Sequence, residues 1–371
     1  MKNSILVVVL ILFATAHDVI AQEANPDSGK TFFYIRVWPD FIIKFDPLTD
    51  REVARCKLRH GVNHGLTVSH DETQFFVTTG KRAYVEVIDR KTMKVIDEHL
   101  FAEQGYLNRV SDVKEWPGGK KWYVQLDRVK KELDHFVIEE DQWLIYDVAT
   151  KKIEKRLKKL PDPIRRGARI SPDGKSWHVF SSDLVVVDPT TMKETGRVKL
   201  SEPLYSGLGA ISLTGDDFYR RRRPDAYRMF YTMRDPVKTS RRLFGLAEID
   251  MTAMKVASID EWGARPGTRR MRITDDRKFF VGQGSGGGTN ADGERESVFL
   301  TYDIEQKKLV KETRLVLRNG LSMLAVSPDG NKIYLGGRGH EIVIHGRNHE
   351  YLKTVELSGE FEARITVIRE R

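Results

Sequence analysis

The residues best suited to chemistry in this sequence are basic, and they recur at matching places. His64, Arg166 and Arg269 each stand five residues before one that opens a turn, namely Ser69, Ser171 and Thr274. Arg109 and Arg270 lie beside the same series. A guanidinium offers forked N–H donors suited to the oxygens of a carboxylate, phosphate or sulfate. These five residues are therefore the candidate ligand-binding set, and they suit an anionic small molecule, a glycan or an acidic protein surface. The competing reading is that they pair with acids of neighbouring repeats or only solvate a rim.

Other groupings offer less. His60 and His64 share one segment, but His70 falls in a turn at the other end of the following strand. A zinc or copper site needs three or four converging ligands, so a packed or hydrogen-bonded pair is expected and no metal. Gly282–Gly288 lacks the Gly-Lys-Ser/Thr ending of a phosphate-binding loop and reads as a mobile loop, with a lid as one use for it. The run Arg220–Arg223, with Arg228, has no aromatic platform interleaved, which argues against nucleic acid. There is no Gly-x-Ser-x-Gly and no His-Glu-x-x-His. Asp46, Asp89, Asp147, Asp188, Asp250 and Asp303 recur too regularly for catalysis, which needs one unique constellation, and they read as a turn device. The chain also lacks Cys-x-x-Cys-His, so no cofactor is expected, and its one cysteine, Cys56, sits in an outer-strand pattern.

The elements that must position these residues come from a repeat. Ile170–Leu200 contains four short apolar segments with turn residues between them, Ser171-Pro172-Asp173-Gly174 first and Asp188-Pro189-Thr190-Thr191 last. Pro presets φ, Asp bonds its own backbone and Gly accepts positive φ, so each group is a turn. Four meandering strands in this length make one propeller blade, which cannot bury both faces alone and requires copies. Variants follow from Leu66, Val110, Thr214, Met271 and Leu324. The segments from Phe32 to Leu58 supply three strands without a first, and Arg364–Arg369 supplies a lone strand. The expected fold is an all-β, seven-bladed β-propeller of four-stranded antiparallel blades. The C-terminal strand joins the three N-terminal strands and closes the ring, removing two open edges.

In that arrangement the loops that enter each first strand share a top face with the second-to-third loops. The top carries Arg59, His60, Asn63, His64, Lys81, Arg82, Arg109, Lys130 and Lys131 among others, against fewer acids. The excess of 62 Lys and Arg over 53 Asp and Glu gives +9, which speaks to partners and not to fold. Lys2, the apolar run Ile5–Phe13 and Val19-Ile20-Ala21 have the layout of a signal peptide, too short to span a bilayer. Residues 1–21 are thus expected to be a signal peptide cut after Ala21, 22–30 a flexible N-terminus, and 31–371 a single propeller domain in the periplasm or outside the cell.

Ser171–Lys193, Ser327–Val355 and Ser69–Val95 carry a pattern of Ser-Pro-Asp-Gly, Tyr-Leu or Phe-Val, Val-x-Val-Ile-Asp and Thr-x-x-x-Val. This resembles the YVTN family of bacterial seven-bladed, WD-repeat-like propellers. The resemblance implies architecture and is nearly silent on chemistry, because the shared residues build turns. Similar propellers serve as exported binding or surface proteins. The heavy subunit of methylamine dehydrogenase and some lactone-cleaving enzymes look similar in plan. The resulting expectation is a binding or scaffold module, with a lactonase- or lyase-like enzyme at the channel mouth and a non-catalytic subunit of a periplasmic redox complex as alternatives.

Overall fold

The protein was analysed as a computed structural model, which describes residues 30–165, 167–203, 207–213, 225–238, 242–264, 270–274, 278–284, 290–294, 296–317, 321–337 and 339–369. Their strands meander in antiparallel sheets. The first contains β1 (Thr31–Trp38), β2 (Phe41–Asp46) and β3 (Arg51–Lys57). Next come β4 (Gly65–Val68), β5 (Gln74–Thr79), β6 (Tyr84–Asp89) and β7 (Lys94–Leu100). The third has five strands: β8 (Tyr106–Glu115), β9 (Lys121–Lys131), β10 (Phe136–Ile138), β11 (Gln142–Asp147) and β12 (Lys152–Leu157). After the single-turn helix α1 (Asp162–Arg165) follow β13 (Ala168–Ile170), β14 (Trp177–Phe180), β15 (Leu184–Val187) and β16 (Glu194–Val198). The fifth group is β17 (Ile211–Leu213), β18 (Ala226–Arg234), β19 (Arg242–Asp250) and β20 (Lys255–Ala264). The sixth is β21 (Arg270–Ile273), β22 (Phe279–Gly284), β23 (Glu296–Asp303) and β24 (Lys308–Val316). Last come β25 (Ser322–Val326), β26 (Lys332–Gly336), β27 (Glu341–Gly346) and β28 (Tyr351–Glu356), and β29 (Glu360–Arg369) pairs antiparallel with β1. This is the architecture of a multi-bladed β-propeller.

Local chemistry sets the turns. The Oγ of Ser69, Ser171 and Ser327 each accepts the backbone N–H five residues on, from Gln74, Ser176 and Lys332, at 2.8–2.9 Å. Thr274 does the same for Phe279. Gly174 and Gly330 sit at φ of 75° and 67° in two of these turns, where a side chain would strain the backbone. At the third-to-fourth turns the recurring aspartates do the work expected of them. Asp89, Asp147 and Asp188 each accept the backbone N–H and the hydroxyl of the threonine three residues on. Asp46, Asp250 and Asp303 accept backbone N–H groups two or three residues on. The turn then closes through a left-handed residue such as Asp50, Met93, Lys151, Met192, Met254 or Lys307.

Each core cluster bridges two consecutive sheets. Tyr34 and Ile42 pack with Phe75 and Val77, Phe76 with Trp122 and Val124, and Tyr123 with Trp177. Leu184 packs with Tyr227, Phe230 with Phe280, and Val281 with Ile333. Phe33 and Ile35 of β1 share a cluster with Tyr334 and Ile344. Each such aromatic or aliphatic side chain contributes about 1.5–3 kcal/mol by leaving water. Cys56 belongs to this core: it is 2% exposed, and burial, then the nearby Glu86, pushes its thiol up to about 11. Thiol reagents at neutral pH are therefore expected to leave Cys56 unmodified in the folded protein and to label it once urea unfolds the chain, a difference that mass spectrometry would read.

Two details depart from the sequence reading. The stretch 127–141 is not only a charged insertion, since β9 runs on to Lys131 and β10 pairs back onto it. The glycine-rich segment does not begin as a loop at Gly282. Gly282, Gln283 and Gly284 belong to β22, where they pair with Leu300, Phe299 and Val298, and Gln283 Oε1 accepts the Met323 N–H at 2.6 Å while its Nε2 donates to Ser297 Oγ at 3.3 Å. Residues 285–289 and Arg220–Arg223 lie outside the described residues.

Candidate functional site

The top face is built by hydrogen bonds that tie neighbouring sheets together next to its basic side chains. Asn63, fully buried, donates through Nδ2 to the Val37 carbonyl at 3.2 Å, which brings the segment holding His64 against the end of β1 that holds Arg36. The His64 N–H donates to the Thr78 carbonyl at 2.8 Å, which anchors it beside the end of β5. The Val110 N–H donates to the Arg82 carbonyl at 2.7 Å, which brings Arg109 beside the β5–β6 turn. That turn is unusual: Gly80, Lys81 and Arg82 are all left-handed, at φ of 56°, 57° and 68°. Non-glycine residues seldom adopt this conformation, and such strain gathers at functional sites. A side chain at position 80 would meet the Tyr84 ring 2.7 Å from its Cβ.

A buried carboxylate positions the rest of this face. Glu86 is 0% exposed, and its two oxygens accept the N–H groups of Arg59 and His60 at 2.8 and 3.0 Å and the Thr79 hydroxyl at 2.8 Å. Arg59 and His60 are then occupied structurally. His60 stacks on Tyr84 at 3.7 Å and pairs with Glu98 at 3.1 Å, and Arg59 pairs with the same carboxylate at 3.3 Å. His60 and His64 therefore have different surroundings and different work.

The result is a concentration of positive charge. Partial burial, then the charges of Arg82, Arg36 and Arg109, hold the His64 imidazole below its ordinary range. These groups come from three sheets: Arg36 from β1, His64 and Arg82 from the second sheet, and Arg109 from β8. Among the described residues no carboxylate forms an ion pair with Arg82, Arg109 or His64. The acid facing Arg109 across the ladder is Asp127, whose carboxylate instead accepts the Ser111 hydroxyl at 2.7 Å. The guanidinium groups of Arg82 and Arg109, beside this imidazole, can bind a carboxylate, phosphate or sulfate, with the imidazole as a further donor.

His64 and Arg109 of the candidate set are thus brought together. Arg166 and Arg269 lie outside the described residues. Arg270 opens β21 opposite Gln283, and its side chain also lies outside them. Sequence reasoning placed Arg82 on the top face without singling it out and missed Arg36. The alternation along Phe33, Ile35 and Val37 offered a signal for Arg36, since it turns Arg36 away from those core residues. Arg109 stands seven residues before Trp116, the turn residue of its sheet, and not five. A bulge between Val110 and Asp112 takes up one residue of the difference.

No helix among the described residues is long and apolar enough to cross a membrane. No protein-family model matches the chain, and no curated protein sequence matches it. Among solved structures it is similar to a eukaryotic initiation factor at 11% identity and a TM-score of 0.50, over 91% of this chain and 98% of that one. It also matches Kuenenia stuttgartiensis hydrazine synthase at 18% identity and a TM-score of 0.40, over 82% and 94%. A dihydro-heme d1 dehydrogenase matches at 15% and 0.44, over 92% and 75%. At 11% identity the likeness to the initiation factor is one of fold alone.

Proposed function

We propose that this chain is an exported, seven-bladed propeller of YVTN type whose top face binds an anionic ligand, either a small molecule or glycan or an acidic surface of a partner. Export rests on the signal-like N-terminus. The ring of seven blades, closed through β29 and β1, is supported by the pairing of those strands and by the cluster joining Phe33 to Tyr334. The observation that carries the binding reading is His64 amid Arg36, Arg82 and Arg109, with no carboxylate paired to Arg82 or Arg109 among the described residues.

Titration of the mature protein with inorganic phosphate, sulfate and citrate in a calorimeter, at low ionic strength, tests it. Replacing both Arg82 and Arg109 by alanine should weaken binding at least about tenfold, since each charged hydrogen bond contributes about 1.5–3 kcal/mol. Affinity should also rise as pH falls below 6.5, because a bound anion favours the protonated form of His64 that burial, then the arginines, now disfavour. Unchanged affinity in the double variant would overturn the reading, and turnover of lactones by the wild-type protein would favour the enzyme alternative.

A further inference from the structure

Beside the basic cluster the top face carries an open aromatic ring. β1 pairs with β2 in unbroken register through Val37, and its alternation puts Tyr34, Arg36 and Trp38 on one side, away from Phe33, Ile35 and Val37. That side meets the second sheet, where the Tyr34 ring packs on Phe75 at 4.7 Å and shares a cluster with Val77. Arg36, one step further along, is close enough for its charge to act on His64. Trp38 is the next step. It is 50% exposed, and among the described residues no ring or cation stacks on its indole.

One hydrogen bond ties this tryptophan to the site. Asn63 Nδ2 donates at 3.2 Å to the Val37 carbonyl, which belongs to the peptide leading into Trp38. His64 and Trp38 therefore each follow directly on a partner in that bond. A carboxylate stands on the other flank. Trp38 pairs with Glu360 across the ladder to β29, so the two side chains emerge on the same side. Glu360 is exposed, and among the described residues its carboxylate forms no ion pair.

Three chemistries thus adjoin: a flat apolar ring, a group that only accepts hydrogen bonds, and the donors of His64, Arg82 and Arg109. A simple anion uses only the last of these, and an alkyl chain leaves the carboxylate without a donor. A pyranose uses all three. Its C–H face lies flat on an indole, its hydroxyls donate to a carboxylate, and an acidic substituent reaches the guanidinium groups. We propose that the anion bound at the top face is an acidic sugar, its ring on Trp38 and Glu360 and its acidic substituent at His64, Arg82 and Arg109. This rests on the anion-binding reading and names the ligand class within it. Such a sugar can come free or as one residue of an acidic glycan.

Calorimetry at low ionic strength tests this with inorganic phosphate, propionate, glucuronate, glucose and a hyaluronan tetrasaccharide. Covering roughly 60 Å² of apolar surface should make glucuronate about tenfold tighter than propionate, which carries the same charge without the ring. Trp38→Ala should remove most of that difference and leave propionate and phosphate unchanged. Glu360→Ala, also at an exposed position, should reduce the difference severalfold while binding phosphate at least as well as the wild type, because a negative charge is lost beside the site. Tighter binding of the tetrasaccharide than of glucuronate identifies a glycan as the source and the reverse order a free sugar; either upholds the proposal. Equal affinity for glucuronate and propionate, or a difference that survives both substitutions, overturns it and leaves the anion site standing. Failure of phosphate, propionate and glucuronate alike to bind overturns both readings, and glucose binding as tightly as glucuronate overturns the acidic sugar.

Discussion

Asp50→Ala is expected to lower the unfolding free energy by about 3 kcal/mol. Asp50 is buried in the β2–β3 turn, but its partners belong to the last sheet of the chain. Lys332 and Lys353 reach it at 2.7 and 2.8 Å, and the Tyr334 hydroxyl donates to it at 2.8 Å. Burial alone would raise its pKa, but the donors from Lys332, Lys353 and Tyr334 hold it below the usual range. Removing the carboxylate leaves the partly buried Lys332 with only the Pro47 and Leu48 carbonyls. Lys353 is half exposed and recovers its hydration, so the loss sits at the low end for a broken buried pair.

At this chain length about 3 kcal/mol corresponds to a fall in Tm of roughly 4 °C. Asp50→Asn should lose less. Asparagine accepts the left-handed backbone at this position, where φ is 54°, and still accepts a hydrogen bond from Tyr334. Urea unfolding of both variants measures the difference. Equal stability of Asp50→Ala and the wild type would show that the contact between first and last sheets does not hold the fold together.

Much of the architecture was legible because its signals are local. A Ser-Pro-Asp-Gly turn or an Asp-x-x-Thr cap is complete within six residues, and alternation fixes the strands between them. The basic site was legible only by phase. Counting back from the turns singled out His64, which the structure surrounds with arginines, but Arg36 belongs to a strand whose own sheet lacks an N-terminal first member. That His60 is spent on Glu98 depends on a residue 38 positions away, and no spacing rule reports such a partner. The projection of β8, β9 and β10 was hidden by its charges. Lys130, Lys131, Glu132 and Asp134 read as a solvated insertion, and only the register that sets Val129 between Leu107 and Ile138 shows the added strand.

Acidification below about pH 6.5 should destabilise the protein, because two histidines are buried uncharged. His99 is 0% exposed, with Nδ1 against the Tyr146 hydroxyl at 3.0 Å and its ring edge-on to Trp122. Burial pushes its pKa down to about 4, with Asp97 opposing and Lys151 reinforcing the shift. His349 bridges the hydroxyls of Thr301 and Thr313 at 3.0 and 2.9 Å, and burial, then Lys311 and His345, pushes it down to about 4 as well. Both native pKa values lie below the unfolded value near 6.5, so between pH 6.5 and 4 the unfolded chain holds more protons. The stability these residues confer is complete above pH 6.5 and is lost as pH falls toward 4. Each should contribute about 2 kcal/mol to the loss between pH 7 and pH 4.5. Asp50, its pKa lowered, keeps its charge throughout this window and adds nothing to the slope. His99→Gln and His349→Asn remove the titrating groups and retain polar atoms for the hydroxyls, so each should remove about half of the fall. Urea midpoints at the two pH values, for the wild type and the combined variant, decide it: an undiminished fall in the combined variant would mean that other groups drive the acid limb.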